Sequence, residues 1–228
     1  MKSIRDAALS LVVEDGLEGF SVHKLADRVD LTAGALYRYF ESRDEMLIAV
    51  QAEVLAVFDR YLAIVLEHLA DRGLLEQVVA ACRAYVALSA LQPQRFQLNA
   101  QFISAPRPVF DADVVEPTAA RTIQMLGRLA SLLERAEASG LLSDGDAQRR
   151  AVVAWSSVHA LVERQKLERL APTVFAPGAL MDELLVTLLL GWGASADAAA
   201  SAMKSECSMD VLRAAVDRAE AYEEVEDV

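Results

Sequence analysis

Residues 21–47 read SVHKLADRVDLTAGALYRYFESRDEML. Two short helical patterns lie almost end to end in this stretch. The first is opened by Ser21 as an N-cap and buries Val22, Leu25, Ala26 and Val29 on a 3.6-residue rhythm. Asp30 and Leu31 leave room only for a tight turn, and Thr32 then caps a second helix ending near Phe40. Leu36 and Phe40 account for the buried side of that helix. Its other side carries Thr32, Ala33, Gly34, Tyr37, Arg38 and Tyr39, more polar and aromatic surface than a small core requires. Two helices joined in this way fit the helix-turn-helix geometry, in which the second enters a major groove with its N-terminal end leading.

Each outward residue suits that task. A glycine inside a helix costs about 1 kcal/mol relative to alanine, and Gly34 is understandable where a backbone must approach a groove wall closely. Thr32 and the free N–H groups of the first turn suit a phosphate or a base edge. Thr32 and Ala33 can also touch a thymine methyl. Tyr37 and Tyr39 offer hydroxyls to phosphate oxygens. Lys24 and Arg43 flank the unit as backbone anchors, contributing salt-dependent affinity and little specificity. The same spacing also fits a plain three-helix scaffold with core tyrosines and solvated charges.

Outward from this stretch almost every segment keeps the helical rhythm, and sustained alternation of the strand kind is absent, so an all-α fold is expected. A first helix runs from about Ser3 to Asp15 and is stopped by Gly16. Ser42 with Glu45 forms a capping box that opens a long helix reaching His68. Further helices are expected over about 74–91, from Pro93 to about Ser104, over 118–139, from about 144 to Leu170, and over 179–192. The Pro106–Pro117 segment, rich in proline and acid, reads as irregular, and "GASADAAASA" as a linker before a last acidic helix from Met209 to about Glu224. Three parts are expected: a compact helix-turn-helix unit over 1–45, a larger helical body over 46–192, and an acidic extension over 193–228.

The chain has 228 residues, 54% of them hydrophobic, enough for a substantial core. Its net charge is −12, which by itself weighs against nucleic acid. Half of that charge belongs to residues 194–228, where nine acids face three bases. DNA binding must therefore rest on a few well-placed cations, doubled by dimerisation. The opening "MKSIRDAALSLVVEDG" mixes acid and base into its apolar residues, unlike a signal peptide. No apolar run approaches the roughly 20 residues that cross a bilayer. A cytoplasmic protein without membrane contact is expected, with Cys82 and Cys207 as free thiols.

The run "GLEGFSVHKLADRVDLTAGALYRYFESRDEMLIAV" resembles the DNA-binding domain of the TetR/AcrR family of bacterial repressors over about residues 3–50. The matching positions are Gly16, Ser21, Leu25–Ala26, Val29, Leu36–Tyr37, Phe40, Arg43 and Leu47. The resemblance implies Ser21 and Lys24 near phosphates, Thr32, Ala33 and Gly34 near bases, and Tyr37 on the backbone. Tyr39 stands where many members have histidine, and Arg43 replaces the usual phosphate-binding lysine. It also implies a homodimer on palindromic double-stranded operator DNA, released by a small-molecule effector. An activator, a corepressor-dependent regulator, or a helical interaction module without DNA uses the same pattern and remains the alternative.

The body is weakly patterned, and its expectations rest on physics. "LLVTLLLGW" is apolar nearly all round, which requires burial on two sides. With the helix before it, it is expected to form an intersubunit bundle through Val152, Val158, Leu161, Leu184, Leu185 and Leu188. The "AWSSVHALVE" stretch is similar to the penultimate helix of one branch of the same family. An effector pocket between helices is expected from Phe58, Leu62, Cys82 and Tyr85, with Phe96, Asn99, Phe102, Met125 and Trp155. Ile103 and Gln101 are further candidates, and His159 reads either as a ligand contact or as a buried core histidine. The mixture points to a largely hydrophobic effector. His23, His68 and His159 are scattered, and no metal, nucleotide or catalytic motif occurs in the sequence, so neither an enzyme nor a cofactor or metal is expected.

Overall fold

The computed structural model describes residues 2–104, 112–164, 167–205 and 207–226. Among these residues it contains eleven α-helices and no strand. The first four are α1 (Lys2–Gly19), α2 (Val22–Arg28), α3 (Ala33–Leu36) and α4 (Arg43–His68). They are followed by α5 (Leu74–Leu91), α6 (Pro93–Ser104), α7 (Ala112–Ala138) and α8 (Ala147–Arg164). The last three are α9 (Pro177–Gly191), α10 (Ala196–Ala202) and α11 (Met209–Glu226).

Gly16 breaks α1 as its sequence position implies. Its φ of 76° lies in the region that favours glycine, and a last helical turn resumes beyond it. The break leaves the Leu17 N–H without a helical acceptor. Gln101 on α6 supplies one through its Oε1 at 3.0 Å, and its Nε2 reaches the Val12 carbonyl at 3.5 Å. Gln101 is thus a strut between α6 and α1 and no handle for a ligand. Replacing Gln101 by alanine leaves a part-buried donor unsatisfied, and a stability loss of about 1–3 kcal/mol is expected in urea denaturation.

Thr32 caps α3 by accepting from the Ala35 N–H at 3.2 Å, and Ser42 caps α4 through the Glu45 N–H at 3.0 Å. Ser21 has the extended backbone of an N-cap but makes no side-chain cap bond. The helix expected to reach Phe40 is only four residues long. Beyond it the chain turns tightly, with the Tyr39 N–H bonded to the Leu36 carbonyl at 2.9 Å, and this turn still seats Leu36 and Phe40 in the core.

Two clusters of buried side chains organise the fold. One joins α1–α4 with Phe96 and Leu98 of α6 and Leu212, Ala215, Val216 and Ala219 of α11. The other joins α5, α7, α8, α9 and α10. α4 runs 26 residues without a break, from the first short helices into the body. It is clasped from one side by Arg128 of α7, whose guanidinium meets the Asp59 carboxylate at 2.6 and 2.9 Å. On another side Arg60 donates to the Ala219 carbonyl of α11 at 3.0 Å.

Several segments differ from expectation. α7 is already helical from Ala112; residues 105–111 lie outside the described residues. α8 ends at Arg164, short of Leu170, and α9 begins at Pro177, a residue suited to a first helical turn. The alanine-rich linker is helical: Ser195 caps α10 through the Ala198 N–H at 3.2 Å, and Ala199 and Ala202 are buried. Alanine is the strongest helix former and is small enough for close packing. α5 is long and apolar enough to cross a membrane by length and composition, unlike what the sequence suggests. Half of it is buried, and Val78, Val79, Ala81 and Cys82 belong to the core.

Candidate DNA-reading surface and effector cavity

At the head of the molecule, α2 and α3 pack through Val22, Leu25, Ala26 and Leu36, all buried. Asp30 takes a positive φ of 53° in the turn between them. This packing turns Thr32, Gly34, Tyr37, Arg38 and Tyr39 to solvent. Tyr37 is 48% and Tyr39 59% exposed, which excludes the reading of these tyrosines as core. A methyl group built on Gly34 meets nothing within 4 Å beyond its chain neighbours and its own helix backbone, so no packing partner requires a glycine there. Ala33 is half-buried against the core, and Ser21 is half-buried.

The cations around this surface differ in their commitments. Lys24 pairs with Asp15 at 2.7 Å, and Arg28 grips Glu14 through two bonds of 2.9 Å. The Arg28 guanidinium holds the Glu14 carboxyl below its ordinary range. Both pairs tie α2 to α1. Arg38 is exposed and forms no ion pair among the described residues. Arg43, expected as a phosphate anchor, is turned inward. It donates to the Phe20 carbonyl at 3.1 Å and to the Leu17 carbonyl, pairs with Asp44 at 3.0 Å, and lies 5.8 Å from the centre of the Phe20 ring. The chain between α1 and α2 ends in open carbonyls, and a planar guanidinium satisfies several at once. Arg43 as placed here fastens the head to α4.

In the body, a narrow apolar cavity holds about 520 Å³ of empty space, solvent at its mouth included. Phe58, Tyr61 and Leu62 of α4 form one wall, and Ala81, Cys82, Tyr85 and Leu88 of α5 another. Met125, Leu126 and Leu129 of α7 and Trp155 and Val158 of α8 close it. Phe58, Leu62, Cys82, Tyr85, Met125 and Trp155 are thereby brought together as expected from the sequence. Phe96, Asn99 and Phe102 are not on the wall. They lie on α6, which packs against α1, α4 and α5; Phe96 is buried against Tyr85 and His159, Asn99 is buried, and Phe102 is half-buried in the first core cluster. Ile103 is 39% exposed on the surface. Tyr61, Ala81, Leu88, Leu126, Leu129 and Val158 were missed, although helical spacing from their neighbours pointed to them: Tyr61 follows Phe58 by three positions and Leu129 follows Met125 by four.

His159 lies one layer behind the wall. Its Nδ1 is 2.8 Å from the Tyr85 hydroxyl, and its ring stacks between Phe96 and Trp155 with centroids 5.5 and 5.8 Å away. Burial lowers its pKa, opposed by Glu163, whose Oε1 is 3.7 Å from Nε2. The neutral ring carrying its proton on Nε2, toward Glu163, makes Nδ1 the acceptor and Tyr85 the donor. Burial also pushes the Cys82 thiol up to about 12 and raises the Tyr85 phenol, so both stay uncharged near neutrality. The Tyr61 hydroxyl donates to the Ala84 carbonyl at 3.0 Å.

The two apolar helices expected at a subunit interface, α8 and α9, pack on each other. Val152 is 40% exposed, and Leu161, Leu184 and Leu188 are half-buried. Val158 and Leu185 are buried inside their own subunit, at 1% and 2% exposure, and are removed from the outward face. The same helices present Val153 and Leu190 to solvent at 47% and 44%.

Residues 4–50 match the family described as bacterial regulatory proteins, tetR family. Over 51 residues, 22% of this chain, the sequence is 39% identical to the HTH-type transcriptional repressor KstR of Rhodococcus jostii (strain RHA1). That stretch spans about a quarter, 24%, of the length of KstR. The fold is similar to that of the transcriptional regulator FadR from Bacillus subtilis, solved in complex with stearoyl-CoA. The TM-score is 0.66 at 18% identity, over 83% of this chain and 98% of that one. The fatty acid degradation regulator FadR from Bacillus halodurans gives 0.65 at 17% identity, over 83% and 98%. At these identities the likeness is one of fold.

Proposed function

We propose, from the premise that residues 4–50 make this chain a helix-turn-helix protein of the tetR family, that it is a dimeric transcriptional repressor released from its operator by a small, largely hydrophobic effector. Residues 1–45 read DNA, residues 46–192 hold the effector and the partner subunit, and 193–228 form the acidic extension. The observation that carries this reading is α4. Its first turn is fastened to the head through Arg43, and fifteen residues further on Phe58, Tyr61 and Leu62 form a wall of the apolar cavity.

Thr32 and Gly34 would face the bases, with Ala33 at their edge and Tyr37, Tyr39 and Arg38 on the backbone. Ser21 and Lys24 would flank a phosphate, Lys24 exchanging Asp15 for it. A second copy joined through the outer faces of α8 and α9 would place two such heads on a palindrome, with centres about 34–36 Å apart for successive turns. An effector entering the narrow cavity would push on α4 and alter that separation. Binding of effector and of DNA would then weaken each other reciprocally. The apolar wall supports a ligand with a hydrocarbon body, a class to which the acyl chain seen on the Bacillus subtilis protein belongs.

Two substitutions test the assignment. Arg38→Ala is expected to weaken binding to all duplexes and to reduce the slope of log affinity against log salt by about 1. Gly34→Ala has room inside the subunit and is expected to leave thermal stability unchanged or slightly raised, while lowering operator affinity or changing sequence preference. Both are read by fluorescence anisotropy with DNA from the upstream intergenic region. Unchanged binding in both variants removes α3 and the turn after it from the DNA interface.

A further inference from the structure

We infer that a second groove, between α5, α8 and α9, takes a small carboxylate with an apolar body, held by Arg83. This site shares no wall residue with the effector cavity and does not rest on the reading of that cavity. The groove holds about 530 Å³ of empty space, solvent at its mouth included. Val86 of α5, Leu161 and Val162 of α8, and Pro177 and Met181 of α9 give it an apolar wall. Unlike the wall of the first cavity, this one also carries two charged groups, Arg83 and Asp182.

Arg83 is held in place but not used up. Its Nη1 donates to the Met203 carbonyl at 3.0 Å and to the Ser205 carbonyl at 2.7 Å, and its Nη2 to Asp182 Oδ1 at 2.9 Å. A guanidinium has five N–H donors, so the Nε–H and one Nη2–H have no acceptor among the described residues. The side chain is 29% exposed, which leaves the guanidinium open to a solute in the groove. Two donors on one planar group match the two oxygens of a carboxylate. Asp182 competes through a single oxygen, and its own side chain is 57% exposed. An ion pair so open to water contributes little to the fold, so Asp182 gives way to a ligand at small cost. The apolar wall sets the rest of the ligand: a ring or a branched chain covers Val86, Leu161 and Met181, and a bare inorganic anion leaves them wet. Cys82 and Tyr85, beside Arg83 on α5, line the effector cavity. One helix thus meets two ligands of different polarity.

The test titrates the full chain with sodium benzoate at neutral pH and low salt, and with benzamide as the uncharged molecule of the same shape. Binding is followed by ligand-detected proton NMR. Benzoate is expected to saturate with a Kd of about 1 mM or below and to weaken as salt is added. Benzamide is expected to bind at least about ten-fold more weakly. Asp182→Asn removes the competing charge and keeps an amide oxygen for Nη2, so benzoate should bind roughly three- to ten-fold more tightly. Arg83→Gln should weaken benzoate by about ten-fold or more. A loss in Arg83→Gln can also follow from poor folding, but a gain in Asp182→Asn cannot. Absence of saturation, equal binding of benzoate and benzamide, or unchanged benzoate affinity in Asp182→Asn overturns the inference. Each of these outcomes leaves the reading of the first cavity as it stands.

Discussion

Replacing Val152 and Val153 together by glutamate is expected to convert the protein to single chains and to weaken operator binding by about 100-fold or more. Both residues lie on α8, 40% and 47% exposed in the isolated subunit, so the substitution leaves the subunit's own core untouched. Leu190 of α9, which packs on α8, is likewise exposed, at 44%. Four new carboxylates facing each other across a two-fold axis repel, and each loses water that no cation replaces. A single head then binds without its tethered twin, and the advantage of linking two sites, about 10²–10⁴ in affinity, is lost. Sedimentation equilibrium reports the mass, and anisotropy on a palindromic duplex reports affinity. A variant that stays dimeric, or a monomer that binds the palindrome as tightly as the original, rules out this face as the working interface.

The second large effect is expected at the C-terminal helix. Val216→Asp should lower stability by about 3 kcal/mol or more, because an ionised carboxylate enters an apolar contact. Val216 is 4% exposed and packs with Leu212, Ala215 and Ala219 into the cluster that also holds α1–α4. For a chain of this size that corresponds to about 6–12 °C in melting temperature. Arg213→Asp on the outer side of the same helix, where the side chain is 64% exposed, is the control and should change stability by less than about 0.5 kcal/mol. Equal melting of Val216→Asp and the unsubstituted protein would mean that α11 does not rest on α4. The acidic helix is thus a structural member: its apolar stripe covers α4, Arg60 donates to its Ala219 carbonyl, and Arg95 meets Glu220 at 3.5 Å.

Local rules made much of this legible in the amino-acid order alone. Thr32 and Ser42 are caps because a hydroxyl oxygen at that position reaches an amide three residues on, whatever lies around it. The outward set of α3 follows from Leu36 and Phe40 turning inward. Phe58, Leu62, Cys82, Tyr85, Met125 and Trp155 of the cavity wall follow from apolar spacing on α4, α5, α7 and α8. The errors arose where a residue had two good local uses. Phe96, Asn99 and Phe102 are apolar or polar at helical spacing like the rest, but α6 packs on α1, and nothing in its own twelve residues says so. Arg43 has the charge of a phosphate anchor, and only the open carbonyls of Leu17 and Phe20, more than twenty positions away, draw it inward. Val158 and Leu185 share helices with Val152 and Leu184, and which side of an all-apolar helix faces its own subunit is set by the neighbouring helices.

The sequence by itself determined an all-helical chain with a helix-turn-helix head and a long continuous α4, because caps, breaks and 3.6-residue periodicity act within a few residues. Only the tertiary structure decided which apolar faces meet. It assigned Gln101 to the gap made by Gly16, α11 to the side of α4, and Tyr85 to His159 rather than to open space. Those choices depend on shape complementarity between segments distant in the chain. Dispersion and burial reward any close apolar fit alike, so composition cannot distinguish one partner helix from another.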